Sequence, residues 1–229
     1  MSDDDLPRFH GRRAGRRLRV GQKALLETLL PQIALTLPAG TVTSSPARFF
    51  SREYAAYWLE IGFGGGENLA AVAAARPDAG FVGAEPFING VASLLRHIAD
   101  QALSNIRIWD DDVRLILGGM PNASLAGAYV LFPDPWPKRR HAARRILAPE
   151  VLDELARLIR PGGSLVLASD HPVAKSWLLQ AACSHPVFRW TARRPADWRE
   201  CPRALVPTRY MRKAERESRT PNWFLFERL

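Results

Sequence analysis

The sequence predicts an α/β fold built on a doubly wound, mostly parallel sheet. Short apolar runs alternate with longer stretches of helix-forming residues, and this alternation is typical of a parallel sheet whose strands are joined by helices. The predicted strands lie at 57–61, 80–84, 106–109, 128–132 and 163–168, and the predicted helices at 67–75, 88–102 and 149–159. Two further strands near the end, at 188–191 and 223–227, are expected to form an antiparallel pair.

The length and charge of the chain limit its domain count and its partners. With 229 residues, 47% of them hydrophobic, the chain can form one substantial core. We expect a basic, mobile arm at residues 1–20 and a single domain at residues 21–229. The net charge of +9 and the isoelectric point near 10.3 indicate a polyanionic partner such as nucleic acid.

The predicted arm is rich in arginine. Its cationic side chains are Arg12, Arg13, Arg16, Arg17 and Arg19. They either clasp an RNA backbone and become ordered on binding, or belong to a solvated tail.

A glycine-rich loop joins the first predicted strand to the next helix. The segment is Leu59-Glu60-Ile61-Gly62-Phe63-Gly64-Gly65-Gly66-Glu67. Glycines allow a tight turn and let a ligand lie directly on the backbone. No Lys-Ser or Lys-Thr follows them, which argues against a P-loop nucleotide triphosphatase. The pattern alone is weak, and it fits a Rossmann-like cofactor site.

Two acids suggest which cofactor this loop binds. Glu85 ends the second predicted strand, where an acid is suited to bind a ribose diol of either NAD or S-adenosylmethionine. Glu60 lies beside the glycines, and a carboxylate there fits a cationic sulfonium better than a pyrophosphate. The pair therefore favours S-adenosylmethionine.

Acids also follow the ends of the other predicted strands. Ligands of such sheets bind beyond the carboxyl ends of the strands, so these acids should line one edge: Glu60, Glu85, Asp112, Asp134 and Asp170. Each also has a structural alternative. Asp112 suits an Asx turn or a cap, and Asp170 suits the cap of a helix beginning near Pro172.

The most informative segment follows the fourth predicted strand. It is Leu131-Phe132-Pro133-Asp134-Pro135-Trp136-Pro137-Lys138-Arg139-Arg140-His141. Proline cannot donate to a sheet ladder, so the strand must stop here and present Asp134 and Trp136 on a rigid backbone. A carboxylate can pair with guanine, an indole can stack on a base or join the core, and the cations can contact phosphates. This combination predicts an active site for a nucleic-acid base.

These residues resemble the bacterial tRNA (guanine-N7)-methyltransferase family. The resemblance runs from about Arg12 to the C-terminus, and its most specific part is the Asp-Pro-Trp block. Its motifs are Leu59-Glu60-Ile61-Gly62-Phe63-Gly64, Gly83-Ala84-Glu85, Pro133-Asp134-Pro135-Trp136-Pro137-Lys138, Arg144-Arg145 and Thr208-Arg209-Tyr210. It implies a seven-stranded methyltransferase sheet with an antiparallel C-terminal strand, S-adenosylmethionine as cofactor, and N7 of the tRNA variable-loop guanine at position 46 as the methyl acceptor.

The resemblance also implies roles for individual residues. Asp134 is the expected catalytic residue. The expected cofactor contacts are Glu60, Gly62, Gly64, Glu85, Asp112 and Asp134. The expected substrate contacts are Lys138, Asp170, Thr208, Arg209, Tyr210 and Met211. The chain departs from the family at Met211, where a Glu is usual, and at Ala142-Ala143, where polar residues are usual.

The chemistry of this reaction limits what the enzyme must supply. Guanine N7 carries a lone pair and no proton, so no general base is needed, and placement of the base in line with the methyl group is the main task. Asp134 is expected to accept hydrogen bonds from N1 and N2 of guanine. Since the cofactor loop lies in the sheet, removal of the arm up to Arg19 is expected to weaken tRNA binding and leave cofactor affinity unchanged.

Two other classes of protein stay open. One is another Rossmann-like enzyme, either a nicotinamide dehydrogenase or a methyltransferase acting on DNA, RNA or protein. The second is a non-catalytic RNA-binding protein on this fold, which Met211 favours.

The remaining sequence features concern metals, compartment and assembly. Cys183 and Cys201 form no C-x-x-C pair and the histidines share no ligand spacing, so we expect no metal site. No apolar run approaches the roughly 20 residues that span a bilayer. The acidic start is unlike a secretory signal. We expect a cytoplasmic protein that is a monomer, with a homodimer as the alternative.

Overall fold

The computed structural model describes residues 9–36, 45–203, 205–206, 211, 214 and 216–229. Within these residues the strands are β1 (Ala56–Ile61), β2 (Ala79–Ala84), β3 (Ile106–Trp109), β4 (Leu125–Leu131), β5 (Ile159–Ser169), β6 (Phe188–Trp190) and β7 (Asn222–Arg228). They form a seven-stranded sheet of order β3-β2-β1-β4-β5-β7-β6. Neighbours among β1 to β5 pair in parallel, whereas β7 is antiparallel to both β5 and β6. The predicted fold class is confirmed.

Helices cover both faces of the sheet. They are α1 (Val20–Thr28), α2 (Leu30–Ile33), α3 (Glu67–Ala75), α4 (Ile88–Gln101), α5 (Arg114–Leu117), α6 (Pro149–Leu158), α7 (Pro172–Ser184) and α8 (Ala196–Arg199), with 3₁₀ turns at Pro46–Phe49 and Arg139–Arg144. Both α6 and α7 start with proline, whose missing N–H costs nothing in the first helical turn. Among the described residues, no helix is both long and apolar enough to cross a bilayer.

The alternation of side chains along the strands divides the core into two layers. On β4, Ala128 and Val130 join one cluster with residues of α6 and α7, including Leu155 and Leu178. Tyr129 and Leu131 join the other cluster, which contains residues of α3 and α4. Both faces of the central strands are therefore covered, and the exposed part of the sheet is its edge.

The largest difference from the predicted bounds is at β5, which begins at Ile159 rather than at 163. Ile159 pairs with Leu125, and the register between β4 and β5 shifts after this pair. Gly162 has a φ of +75°, and a Cβ on Gly163 would lie 2.8 Å from the Ala126 carbonyl oxygen. The glycines thus form an irregularity within a strand, where the sequence resembles a turn.

Candidate active site

The glycine loop after β1 depends on left-handed backbone conformations. Gly62, Gly64 and Gly66 have φ values of +70°, +58° and +79°. A Cβ on Gly62 would meet nothing within 4 Å, because its open side faces the cleft that this residue lines. Gly90 of α4 packs closely on the loop, and a Cβ there would lie 2.2 Å from the Gly64 carbonyl oxygen. The sequence pattern gave no sign that Gly90 supports the loop.

Glu85 fastens the glycine loop to the end of β2. Its Oε2 accepts a hydrogen bond from the Gly64 N–H at 2.8 Å, and its Oε1 accepts one from the Phe87 N–H at 3.0 Å. The residue is only 9% exposed, yet it lines the cleft. A carboxylate has lone pairs left after two such bonds, so Glu85 can still accept from ligand hydroxyls.

Glu60 lies near the end of β1, just before the glycine loop, and does not line the cleft. It is 3% exposed, and its Oε2 accepts a hydrogen bond from Asn68 Nδ2 at 2.9 Å. Burial raises the pKa of Glu60 to about 8, although the bond from Asn68 opposes this shift. Its expected role as a direct cofactor contact stays a prediction, and its observed contact is with α3.

Asp112 lines the cleft at the loop after β3, and its carboxylate is held by Arg114. Arg114 Nε lies 3.0 Å from Asp112 Oδ1, and Oδ1 also accepts from the Arg114 backbone N–H at 3.0 Å. The alternative of an Asx turn is therefore confirmed at this residue, together with its position in the cleft wall. Its side chain is 5% exposed.

The Asp-Pro-Trp block follows β4 as a strained turn. Phe132 and Trp136 adopt positive φ values of 53° and 38°, which are uncommon for residues other than glycine. Trp177 of α7 donates from Nε1 to the Pro135 carbonyl at 3.3 Å, and Arg145 Nη2 donates to the Trp136 carbonyl at 3.4 Å. The block is thus held in place by Arg145, which belongs to the Arg144-Arg145 motif, and by Trp177, which the sequence did not single out.

Asp134 and Trp136 both line the cleft. Asp134 is exposed and its carboxylate has no hydrogen bond or ion pair with any described residue, so it is available to a ligand. Trp136 is half-buried and belongs to neither core cluster. Core packing is therefore excluded for this indole.

A guanidinium and an imidazole ring contact the indole of Trp136. The Arg144 guanidinium lies 5.1 Å from the Trp136 ring centroid, and the His141 ring meets it edge-on at 5.7 Å. Desolvation and the neighbouring arginines lower the pKa of His141. Lys138 precedes this 3₁₀ turn, is exposed and does not line the cleft.

The expected substrate residues after β5 have other partners in the structure. Asp170 pairs with Arg219 Nε at 2.7 Å, and the cap of α7 is His171, whose Nδ1 accepts from Val173 N. The alternative that Asp170 caps this helix is therefore wrong. Met211 is 8% exposed and lies in the cluster that contains Leu205. Thr208, Arg209 and Tyr210 lie outside the described residues.

These walls enclose a cleft of about 730 Å³ at the carboxyl edge of the sheet. This volume is within the range of small-molecule and cofactor sites. Of the predicted site residues, the cleft brings together Gly62, Gly64, Glu85, Asp112 and Asp134. The predicted site residues Glu60, Lys138, Asp170 and Met211 do not line it. Residues 9–12 also line it. No three His, Cys, Asp or Glu side chains of the described residues lie close enough to hold a metal ion.

The donors and acceptors of the cleft fit an adenosyl methyl donor. Glu85 and Asp112 supply carboxylates for hydroxyl and amino groups, while the bare backbone at Gly62 leaves room for a ligand to lie against it. Together with the strand order, this arrangement defines a Rossmann-like methyltransferase.

Comparison with known proteins agrees with this class. The rRNA methylase of Streptococcus thermophilus superposes with a TM-score of 0.52 at 13% identity, over 76% of this chain and 87% of that one. A structure described as an antibiotic related methyltransferase superposes with a TM-score of 0.51 at 11% identity, over 93% and 97%. At these identities the similarity shows the fold alone.

Sequence relatives narrow the class to a family. A family model described as putative methyltransferase matches residues 55–222. The tRNA (guanine-N(7)-)-methyltransferase of Rhodospirillum rubrum is 48% identical over 225 residues, 96% of this chain and 88% of the relative. That of Paramagnetospirillum magneticum is 45% identical over 229 residues, 97% and 93%. The chain belongs to the tRNA (guanine-N(7)-)-methyltransferase family.

Proposed function

We propose that this protein transfers the methyl group of S-adenosylmethionine to N7 of a tRNA guanine, the variable-loop guanine at position 46. The observation that carries this proposal is one continuous cleft. The glycine loop, Glu85 and Asp112 lie on one side of it, and Asp134 and Trp136 on the other. Cofactor and base would thus meet at a single opening of the sheet edge.

The cofactor's sulfonium supplies an already activated methyl group. The residues of this chain then have to hold the base so that N7 approaches that carbon in line. Asp134 has no protein partner among the described residues, and it accepts the N1 and N2 hydrogens of guanine. Adenine lacks this pair of donors, so the same carboxylate favours guanine over adenine.

Trp136 provides the second contact with the base. Its half-buried ring lines the cleft, and Arg144 lies over it at 5.1 Å. Stacking of a base on an aromatic ring contributes about 1–3 kcal/mol. Arg144 and Arg139 at the rim then contact the phosphates near the methylated nucleotide.

The proposal is tested by incubating tRNA that lacks 7-methylguanosine with the protein and S-adenosylmethionine. Nucleoside analysis should show 7-methylguanosine with the wild type, and none or very little with Asp134→Ala. S-adenosylhomocysteine should raise the melting temperature of both proteins, and NAD should raise neither. A wild type that binds tRNA and the cofactor but forms no 7-methylguanosine would contradict the proposal and would favour a non-catalytic RNA-binding protein.

A further inference from the structure

The segment before α1 is attached to the start of α4 by hydrogen bonds at three points of its backbone. The Ile88 N–H donates to the Arg13 carbonyl at 2.9 Å. The Asn89 side chain accepts from the Gly15 N–H at 2.8 Å and donates to the Arg16 carbonyl at 2.7 Å. One amide side chain thus satisfies both a donor and an acceptor of the arm.

A second attachment connects the arm to the loop after β3. Arg13 Nη2 pairs with Asp111 Oδ1 at 2.8 Å, and the same oxygen accepts from the Asp112 N–H at 2.7 Å. Asp112 is the residue of this loop whose carboxylate lines the cleft. Asp111 Oδ1 therefore joins the docked arm to the backbone of Asp112, a residue in the wall of the proposed cofactor site.

The close fit of the arm indicates a specific docked position. A Cβ on Gly15 would lie 2.8 Å from Cζ of Phe87, so this backbone approaches the aromatic ring closely. Phe87 follows Glu85, whose Oε1 accepts from the Phe87 N–H. The arm thus contacts the two loops that carry Glu85 and Asp112, while residues 9–12 line the cleft between them.

We propose that residues 9–12 form a further wall of the cofactor site. Asn89 and Asp111 are the positioning residues that hold this wall in place, through their contacts with residues 13–16. The proposal rests on the proposed function, since it takes the side of the cleft with Glu85 and Asp112 as the cofactor's. Arm docking and cofactor binding then strengthen each other by the same factor, because coupling between two binding events is reciprocal.

The test measures S-adenosylhomocysteine affinity by calorimetry in the absence of tRNA. Asn89→Ala should weaken binding about 3- to 10-fold, the effect of losing one or two hydrogen bonds that hold a ligand-contacting segment. Asn89→Asp keeps the acceptor for Gly15 but places a carboxylate oxygen against the Arg16 carbonyl oxygen, so it should weaken binding as well. Arg13→Gln should weaken binding as well.

The matched control is Arg17→Gln. This change removes the same charge from the same arm, but Arg17 has no hydrogen bond or ion pair with the described residues. Its affinity for S-adenosylhomocysteine should equal that of the wild type. A loss in Arg17→Gln as large as in Arg13→Gln would mean that charge alone matters, and would overturn the proposal.

Amide hydrogen exchange gives a readout that a general loss of stability would not reproduce. In the wild type, S-adenosylhomocysteine should slow exchange of the Gly15 and Ile88 amides, which make the arm contacts. In Asn89→Ala this protection should be lost, while the core amides of α4, such as Leu95, keep their slow exchange. Equal ligand-induced protection in both proteins would overturn the proposal.

The outcomes separate this inference from the proposed function. A wild type without affinity for S-adenosylhomocysteine would contradict both. If the wild type binds S-adenosylhomocysteine, a change at Glu85 weakens this binding, and Asn89→Ala and Arg13→Gln bind as tightly as the wild type, the arm inference alone would be contradicted.

Discussion

The two acids that we propose as cofactor contacts, Glu85 and Asp112, are held by the protein's own donors. Glu85 accepts two backbone N–H groups, and Asp112 accepts from Arg114. A carboxylate fixed in this way costs little ordering entropy when a ligand arrives. The same bonds also shape the loops, so a change at either acid affects the walls of the site as well as the ligand contact.

Glu85→Gln should weaken S-adenosylhomocysteine binding by about 1.5–3 kcal/mol, the range for hydrogen bonds to charged groups. The amide keeps one acceptor, and its NH₂ group then faces a backbone N–H donor. Calorimetry measures the loss. Glu67→Gln is the control, because Glu67 begins α3 and does not line the cleft. Equal affinity for Glu85→Gln and the wild type would place the cofactor elsewhere.

Glu60 makes the stability of the protein depend on pH. Its pKa is about 8 in the folded protein and about 4.3 in an unfolded chain, so the folded state holds a proton over this window. The contribution of this pKa difference to the free energy of unfolding is complete below the pKa that Glu60 has in the unfolded chain, and it is lost as the pH rises through 8. Asn68 Oδ1 is buried and has no hydrogen-bond partner among the described residues, so protonated Glu60 has an acceptor available.

Glu60→Gln should abolish this pH dependence, because glutamine resembles the protonated acid. Between pH 5 and pH 8 the unfolding free energy of the wild type should fall relative to the variant, by at most about 4 kcal/mol. Urea unfolding at each pH measures the difference. Parallel profiles for the two proteins would show that Glu60 does not hold the proton.

At the scale of elements, the strand-end turn is fixed by α7. Trp177 is 8% exposed and donates to the Pro135 carbonyl, next to the strained Trp136. Because the turn holds Asp134 and Trp136 in the cleft, its position should control how the base lies against the methyl group. Small displacements at such positions reduce the rate of transfer more than ligand affinity.

Trp177→Phe keeps the apolar ring and removes the donor. We expect a roughly tenfold lower rate of single-turnover methyl transfer, with the affinity for S-adenosylhomocysteine unchanged. An equal loss of both quantities, or of neither, would show that the bond to Pro135 does not position the base.

Local patterns predicted most of these elements, and long-range contacts explain the rest. β3 and α3 have the predicted bounds because their apolar periodicity and flanking residues are local signals. The contacts of Asn89 and Trp177 join distant parts of the chain, and no periodicity in one sequence reveals such partners. The pairing of Ile159 with Leu125 is of the same kind.

The same limit applies to the arm. Because the glycine loop lies in the sheet, removal of the arm was expected to leave cofactor affinity unchanged, yet residues 9–12 of the arm line the cleft. We therefore replace the expectation of unchanged cofactor affinity after arm removal with an expected loss. The expectation that the arginines of the arm contact tRNA phosphates stays a prediction.

At the scale of the whole molecule, the net charge of +9 should make tRNA binding strongly salt-dependent. The double change Lys138→Gln with Arg139→Gln should reduce the magnitude of the log–log slope by about 0.7–0.9 for each phosphate that these two cations neutralise in the wild type. Arg160→Gln is the control, because Arg160 is exposed at the start of β5, at the edge away from the cleft. Filter binding at several salt concentrations gives the slopes, and equal slopes would exclude this segment as the RNA contact.

The central claim is that the cleft methylates one defined guanine. The most direct measurement uses two transcripts of one tRNA, with guanine or adenine at position 46, each treated with S-adenosylmethionine and the wild-type protein. Borohydride reduction and aniline cleavage then locate 7-methylguanosine. We predict cleavage at position 46 of the first transcript and none in the second. Cleavage at another guanine, or in both transcripts alike, would contradict the account.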